Sequence, residues 1–319
     1  MSKVSVVIPT HNNATFIEEC FKSVVSQSYY KYIKEIFIID DGSTDNTSRI
    51  LSRLKMDCDK LEIITTKGLG VAAARNIGIK SSTSSFIAFL DGDDYWTKNK
   101  LENQLKHFEK NISIGLVYGN YYSFEKQDAS DAYPVYVRSL NNFYEDQLKD
   151  YFIKDAPIVP STTIIKKEVF ESVGLFNEEI KTGEDTEMCL RIAEKWKFFY
   201  INSIDLFKRS RKGQMSEHLE SFFEDQIKIT QIFISRNPLL KKFSKKRNSY
   251  RASKVSFDYL FKHNNKKKSI IYTIKSLKFD IFNIRALSLI FFLILPYKLT
   301  TYLYITVKNN LYRKRKKNI

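Results

Sequence analysis

Three carboxylates fall within four residues at Asp91-Gly92-Asp93-Asp94. Asp91 and Asp93 lie two apart, and the glycine between them lets the backbone bend sharply. Two carboxylates so spaced suit one hard divalent cation, Mg2+ or Mn2+, with open positions left for phosphate oxygens. The same residue types also make an acidic turn that caps the helix expected from about Thr97. A second carboxylate pair, Glu184-Asp185, stands at the start of a later helix, where one member could serve as a general base or both could simply favour a first helical turn.

These residues need elements to hold them. Phe86 to Leu90 is a continuous apolar run, the pattern of a strand buried on both faces of a parallel sheet. Lys3 to Ile8, Glu35 to Ile39 and Leu61 to Thr65 are three earlier strands, and Pro9 is expected to end the first because it cannot continue a central ladder. Helices are expected from Ala14 to Ser26, up to about Lys55, and after Gly70. Strand and helix alternating at roughly 30 residues predicts a parallel sheet with right-handed crossovers, in which ligands bind beyond the carboxyl ends of the strands. Thr10-His11-Asn12, Asp40-Asp41, Lys67 to Gly70 and Asp91 to Asp94 all fall at such ends.

Taken as one site, the strand ends fit a nucleotide-diphosphate donor whose charge a cation on Asp91 and Asp93 would neutralise. Asp41 is suited to accept from a base or ribose, or to cap the helix that follows. Arg75 could reach a phosphate or pack on the nucleotide, or be a solvated side chain near a helix start. Gly68 and Gly70 permit close backbone approach, but the third glycine of a dinucleotide fingerprint is missing, which speaks against NAD. Further along, a strand is expected at Ile114 to Tyr122, a long loop with short elements over Glu125 to Asp150, and a short strand at Pro160 to Ile165. A helix over Lys167 to Val173, another over Glu187 to Lys195 and a last strand near Phe198 to Ile201 follow.

Charge divides the chain. Residues 1–215 hold 29 Lys plus Arg against 30 Asp plus Glu, whereas residues 216–319 hold 23 against 6 and carry the whole excess. The expected organisation is therefore a balanced α/β domain, 1–215, and a basic helical region, 216–319, with an anionic partner. In the latter, two apolar runs, Ala286 to Leu295 and Leu299 to Val307, are separated by Pro296, Tyr297 and Lys298. Neither reaches the roughly 18 to 20 residues that span a bilayer. A hairpin or bent helix lying in the interface over about 286–307, its basic flanks on the anionic membrane surface, is preferred over a single span with Pro296 and Lys298 inside the bilayer and over an ordinary core helix with a solvated tail. Cys20, Cys58 and Cys189 lack metal-ligand spacing and point to a reducing compartment. With no signal-peptide pattern at the N-terminus, the expected location is cytoplasmic, peripheral at the inner face of the plasma membrane.

The ordered set Val4 to Asn12, Ile39 to Asp45, Gly70 to Gly78, Leu90 to Asp94 and Gly183 to Asp185 resembles the motifs of family 2 glycosyltransferases, and Val173 to Asn177 is similar to that family's acceptor-side segment. The resemblance covers about residues 3 to 210. It implies a GT-A fold, a Rossmann-like mostly parallel sheet, and inverting transfer of a sugar from a nucleotide-sugar, typically a UDP-sugar, to a hydroxyl. By motif match Asp41 would bind the base, Asp91 the ribose and metal, Asp93 the metal, and Asp185 would be the catalytic base; Pro9, Thr10, Asn12, Gly70 and Arg75 would complete the donor site. Arg209 to Ser216 resembles the family's basic loop that closes over the diphosphate. Lys98 stands where many relatives have proline, and no Gln-x-x-Arg-Trp run of the processive synthases occurs, which favours addition of a single hexose-type sugar to a glycan or lipid-linked acceptor in surface polysaccharide biosynthesis. Two other readings fit less. A sugar nucleotidyltransferase would want a glycine-rich basic loop where Pro9 to Asn13 stands, and a non-catalytic nucleic-acid-binding protein leaves the acidic strand-end cluster without a role; no nucleic-acid partner is expected.

Overall fold

The computed structural model describes residues 3–109, 112–135, 147–154, 158–211, 218–296, 298–300 and 302–303. The chain forms two compact units, one of Met1–Tyr151 with Asp155–Glu217, the other of Phe152–Lys154 with His218–Ile319.

The first unit opens with β1 (Val4–Thr10), α1 (Ile17–Val25), β2 (Ile33–Asp40), α2 (Thr47–Met56), β3 (Leu61–Thr65), α3 (Val71–Ser81) and β4 (Phe86–Phe89). The alternation places β3, β2, β1 and β4 side by side, all parallel. Val4, Val6, Ile8, Ile36, Ile38 and Ala88 are fully buried in this sheet, as continuous apolar strands require. Pro9 does not end β1: it pairs with Ile39, and β1 runs on to Thr10. On the β4 side the Val7 carbonyl accepts from Leu90 and the Pro9 carbonyl from Gly92, so the strand is carried past the proline by bonds to its carbonyl oxygens and by its pairing with β2.

Next come β5 (Tyr95–Trp96), α4 (Lys100–Leu105), β6 (Ile114–Phe124), β7 (Tyr133–Val135), α5 (Gln147–Lys154), β8 (Thr163–Lys166), α6 (Lys167–Val173), α7 (Glu184–Lys195) and β9 (Lys197–Arg209). The sheet order is β3-β2-β1-β4-β8-β6-β9-β5, with β7 on β6. β8 enters antiparallel between β4 and β6, and β9 then runs parallel to β6. Residues 160–162 form a 3-10 turn ahead of β8 rather than its first residues, and the last strand runs 13 residues to Arg209 instead of stopping near Ile201. Of the segment expected to be a long loop, 136–146 lie outside the described residues. Cys20, Cys58 and Cys189 are buried free thiols.

The second unit contains α8 (Leu219–Arg236), α9 (Lys241–Phe261), α10 (Lys266–Phe279) and α11 (Ile284–Ile294). Leu219, Phe223, Ala252, Val255, Tyr259 and Tyr272 form its apolar core. Hydroxyls line the seam between α9 and α10: Ser249 meets Ser276 at 2.9 Å, and Ser256 meets Ser269 at 2.9 Å and Thr273 at 2.7 Å. Arg247 is fully buried but donates to the Phe152 carbonyl, to Gln226 Oε1 at 2.8 Å and to Thr230 Oγ1 at 2.9 Å, which satisfies the charge by hydrogen bonds. No helix among the described residues is long and apolar enough to cross a membrane. The apolar run expected over Leu299 to Val307 lies mostly outside the described residues.

Candidate active site

The strand order reverses direction at β1, with β2 on one side and β4 on the other, and sheets of this kind open a crevice at that point. Thr10 ends β1 there. Gly92, in the turn after β4, packs so close that a Cβ would come within 2.6 Å of Thr10 Oγ1, so only glycine lets the acidic turn sit against the end of β1. Asn13 Nδ2 donates to the same hydroxyl at 3.1 Å. Asn12 takes the left-handed conformation that asparagine tolerates, and its Oδ1 accepts from the Thr44 amide at 2.8 Å, clamping the loop after β2.

Asp41 follows β2, and its amide donates to the Thr10 carbonyl at 2.8 Å. Its carboxylate accepts from the Thr66 hydroxyl, from the Leu69 amide at 2.7 Å and from the Gly70 amide at 2.7 Å. Burial opposes the charge, but these three donors outweigh it and hold the carboxyl below its ordinary range. Asp41 therefore fastens the loop ahead of α3 and does not cap α2; Asp40 binds its own turn instead, through the Ser43 amide and the Ser48 hydroxyl. Gly70, at φ +94°, gives that loop a turn that a side chain would strain.

The acidic turn is held from three directions. Ser161 accepts from the Asp91 amide at 3.0 Å and donates to Asp94 Oδ2 at 3.1 Å, while the Ser161 carbonyl takes the Trp96 indole N–H at 2.8 Å. From the end of β9, the Arg209 amide donates to Asp94 Oδ1 at 2.9 Å, and the Arg211 side chain bridges Asp93 Oδ2 at 3.0 Å and Asn13 Oδ1 at 2.9 Å. From α3, the buried Arg75 guanidinium reaches Asp91 Oδ1 and Glu184 Oε1, each at 2.7 Å, and lies over the Phe176 ring.

Charges of one sign crowd here, and their cations set the protonation states. Burial opposes ionisation of Asp91, but Arg75 and Lys208 keep it below the usual carboxylate range. Burial raises Asp94 to about 7; Lys208 offsets part of that, and Asp93 and Asp91 reinforce it. Glu184 is likewise raised, first by burial and then by Asp185 beside it, against the pull of Arg75. Burial works against the cation on Lys208, yet the three carboxylates hold it charged.

Gly183, in the left-handed region, starts α7 and lets Glu184 turn back to Arg75. Asp185, one residue on, is half-buried, accepts from the Thr186 amide at 2.6 Å, and borders an apolar pocket with Phe89, Phe176 and Met188. That cavity holds about 10 Å³, room for a single water and not for an acceptor, so a hydroxyl reaching Asp185 would have to come from the crevice side, where a carboxylate can take its proton.

Asp91 and Asp93 offer oxygens only, the donor set of a hard divalent cation. Among the described residues no group of three or more His, Cys, Asp or Glu converges as a metal site, so a cation here would take its remaining ligands from phosphate and water.

The structure thus brings Thr10, Asp41, Gly70, Arg75, Asp91 and Asp93 to one rim, with Asp185 joined to it through Glu184 and Arg75. Pro9 contributes a backbone carbonyl and Asn12 a loop clamp. Arg209 and Arg211 belong to this rim, whereas 212–216 lie outside the described residues. Ser161 and Lys208 act here in ways the sequence does not announce, and Glu184, one of the carboxylate pair the sequence offered, is engaged by Arg75. A Pro-Ser-Thr-Thr run ahead of a strand carries no signal for a hydroxyl that holds a turn 70 residues earlier.

The model of the family described as Glycosyl transferase family 2 matches residues 5–174. An uncharacterized glycosyltransferase of Rickettsia felis is 35% identical over 249 residues, covering 76% of this chain and 39% of that protein. The chain spans 27–39% of the length of the three Rickettsia relatives it matches. Glycosyltransferase GlyG of Streptococcus pneumoniae is 29% identical, with 66% of this chain and 72% of that protein covered. Among solved structures, S. aureus TarS residues 1–349 in complex with UDP-GlcNAc superposes with a TM-score of 0.60 at 19% identity, over 87% of this chain and 81% of that one, a likeness of fold.

Proposed function

The chain belongs to glycosyl transferase family 2, and from that premise we propose that it is an inverting, metal-assisted, hexosyltransferase-type enzyme. It moves a single sugar from a nucleotide-sugar, a UDP-sugar, to a hydroxyl of a glycan or lipid-linked acceptor in surface polysaccharide biosynthesis. The basic second unit holds it at an anionic membrane face inside the cell. The observation that carries this reading is the chain Asp91–Arg75–Glu184, which ties the strand-end carboxylates to the start of the helix bearing Asp185. Chondroitin synthase of Escherichia coli, 27% identical over 73% of this chain, and the UDP-GlcNAc complex of TarS support the choice of substrate class.

In this mechanism Asp41 and the loop it fastens receive the nucleotide base, and Thr10, Asn12 and Gly70 shape the floor beneath the ribose and diphosphate. Asp91 and Asp93 would hold Mn2+ or Mg2+, which when bound supplies neutralisation of the leaving diphosphate. Arg75 keeps Asp91 ionised and directed toward the crevice. Asp185 removes the proton from the acceptor hydroxyl, whose oxygen attacks the anomeric carbon from the face opposite the diphosphate. One in-line displacement inverts that carbon without a covalent sugar-enzyme intermediate.

The decisive experiment incubates the purified chain with UDP-, GDP- and dTDP-sugars, with and without Mn2+, and follows melting temperature. A UDP-sugar with metal raises it, because the ligand binds only the folded state; a chain indifferent to every nucleotide-sugar would refute the reading. NMR of the product gives the anomeric configuration, and retention there would exclude the single displacement.

A further inference from the structure

The second unit exposes apolar side chains in a pattern that isolated surface residues do not make. On α10, Ile270, Ile271 and Ile274 are exposed on one face, with the exposed Lys267 and Lys278 at its two ends. The opposite face, Ser269, Thr273 and Ser276, is buried against α9. The corner that follows is a tight turn: Asp280 Oδ1 accepts from the Phe282 amide at 3.0 Å, and the Asp280 carbonyl from the Asn283 amide. At its tip Ile281 is 65% and Phe282 82% exposed. Asn283 then caps α11, where Ile284 is 80% exposed and Leu287, Phe291 and Ile294 continue the stripe at helical spacing, while Ala286 and Leu289 are buried on the inner side.

We propose that the outward faces of α10 and α11, with Phe282 and Ile284 at their shared corner, form a wedge that enters the headgroup and acyl boundary of an anionic bilayer. The proposal rests on the reading that the second unit is the membrane-facing part, and it extends the contact from the start of the 286–307 run upstream to Lys267. Charge chooses the occupant. Lys267, Lys275, Lys278 and Arg285 are all exposed around the apolar stripe, in a region whose basic residues outnumber its acidic ones 23 to 6. A second copy of the same face would set these cations against one another, and a nucleic acid would leave the isoleucines and Phe282 without an apolar partner. An anionic bilayer satisfies both, taking the apolar side chains below the headgroups and the lysines onto them. With 11 residues, α11 is about 16 Å long at the rise of an α-helix, half of a hydrocarbon core of about 30 Å, so it lies in the surface and does not cross it.

The test sediments the full chain with vesicles of phosphatidylcholine alone or with about 30% phosphatidylglycerol, an anionic fraction large enough to attract a polybasic surface. Wild type pellets with the anionic vesicles. Phe282→Asp with Ile284→Asp, both at exposed positions, weakens that partition by about tenfold or more, since each loses its burial in the acyl boundary, while circular dichroism and melting stay as in wild type. Lys267→Glu with Lys278→Glu abolishes the preference for anionic vesicles. Phe282→Trp gains fluorescence that brominated lipid quenches. If wild type binds but the aspartate pair pellets equally well, or the Phe282→Trp signal ignores brominated lipid, the wedge is wrong while the membrane-facing reading stands. If wild type binds neither vesicle, that reading fails and the wedge with it. A wild type that doubles its mass at micromolar concentration, and that Phe282→Asp returns to monomer without any vesicle binding, would make the surface a self-association face.

Discussion

Asp185 and Arg75 divide the labour of the candidate site between chemistry and positioning. Asp185→Asn removes a proton acceptor with little change of shape, so sugar transfer falls by roughly 10²–10⁴-fold, while the UDP-induced rise in melting temperature is kept. Activity within a factor of two of wild type would dismiss the residue as base. Arg75→Met leaves the half-buried Asp91 and the buried Glu184 without their shared cation. Breaking a buried pair on one side costs about 3–5 kcal/mol, which urea unfolding reads; a loss below about 1 kcal/mol, the worth of a surface pair, would mean that the guanidinium does not hold the rim. Asp41 and Asp91 both have lowered carboxyl pKa values in the folded chain. Their stabilisation is complete above the unfolded value near 4 and is lost as pH falls through the folded values. The unfolding free energy therefore drops steeply below about pH 4, and Asp41→Asn gives a shallower acid limb; equal limbs in both proteins would count against the assignment. Asp41, Asp91, Asp93 and Asp185 can be singled out from the sequence because each sits in a short local motif. Arg75 can be singled out too, but its ion pairs to Asp91 and Glu184 cannot, nor can the role of Ser161, because each depends on which distant residue folding brings to it.

At the scale of elements, the close approach of α3 to β1 sets how near the rim residues come. A Cβ on Gly78 would lie 2.3 Å from Val7 Cγ1, so the helix rests on the strand with no room for a methyl group. Gly78→Ala should cost about 1–3 kcal/mol by overpacking, and Val7→Ala in the same chain should return part of it; strictly additive losses in a double-mutant cycle would show that the two residues do not compete for that space. The four parallel strands were readable because apolar runs alternate with helical spacing and polar clusters mark each strand end. The latter half was less so. β5 is two residues long, β8 enters the sheet antiparallel, and β9 owes its length to pairing with β6 through Arg209, none of which leaves a periodic trace in the sequence. Pro9 shows the limit of a local rule: a strand can run through a proline when its carbonyl and its neighbours still pair on both sides.

For the whole molecule, removing the metal is the plainest test of how the donor is held. EDTA-treated protein should show a smaller UDP-induced melting shift than protein with Mn2+, and a lower transfer rate restored by adding the ion; identical shifts and rates would end the metal proposal. The charge division between the two units was legible from composition alone, since 23 of the 52 basic residues and only 6 of the 36 acidic ones fall after residue 215. How the helices of the second unit pack was not, because serines at the contact between α9 and α10 look like surface residues until their partners are known. That contact has a consequence of its own. Oil-and-water exclusion glues helices only while water bathes them, and it fades once a neighbouring surface sits among fatty-acid tails. Ser249, Ser256, Ser269, Thr273 and Ser276 join their helices by close approach and mutual hydroxyl bonds, forces that survive a change of solvent. Such a joint would keep its grip on either side of the boundary between aqueous and greasy surroundings.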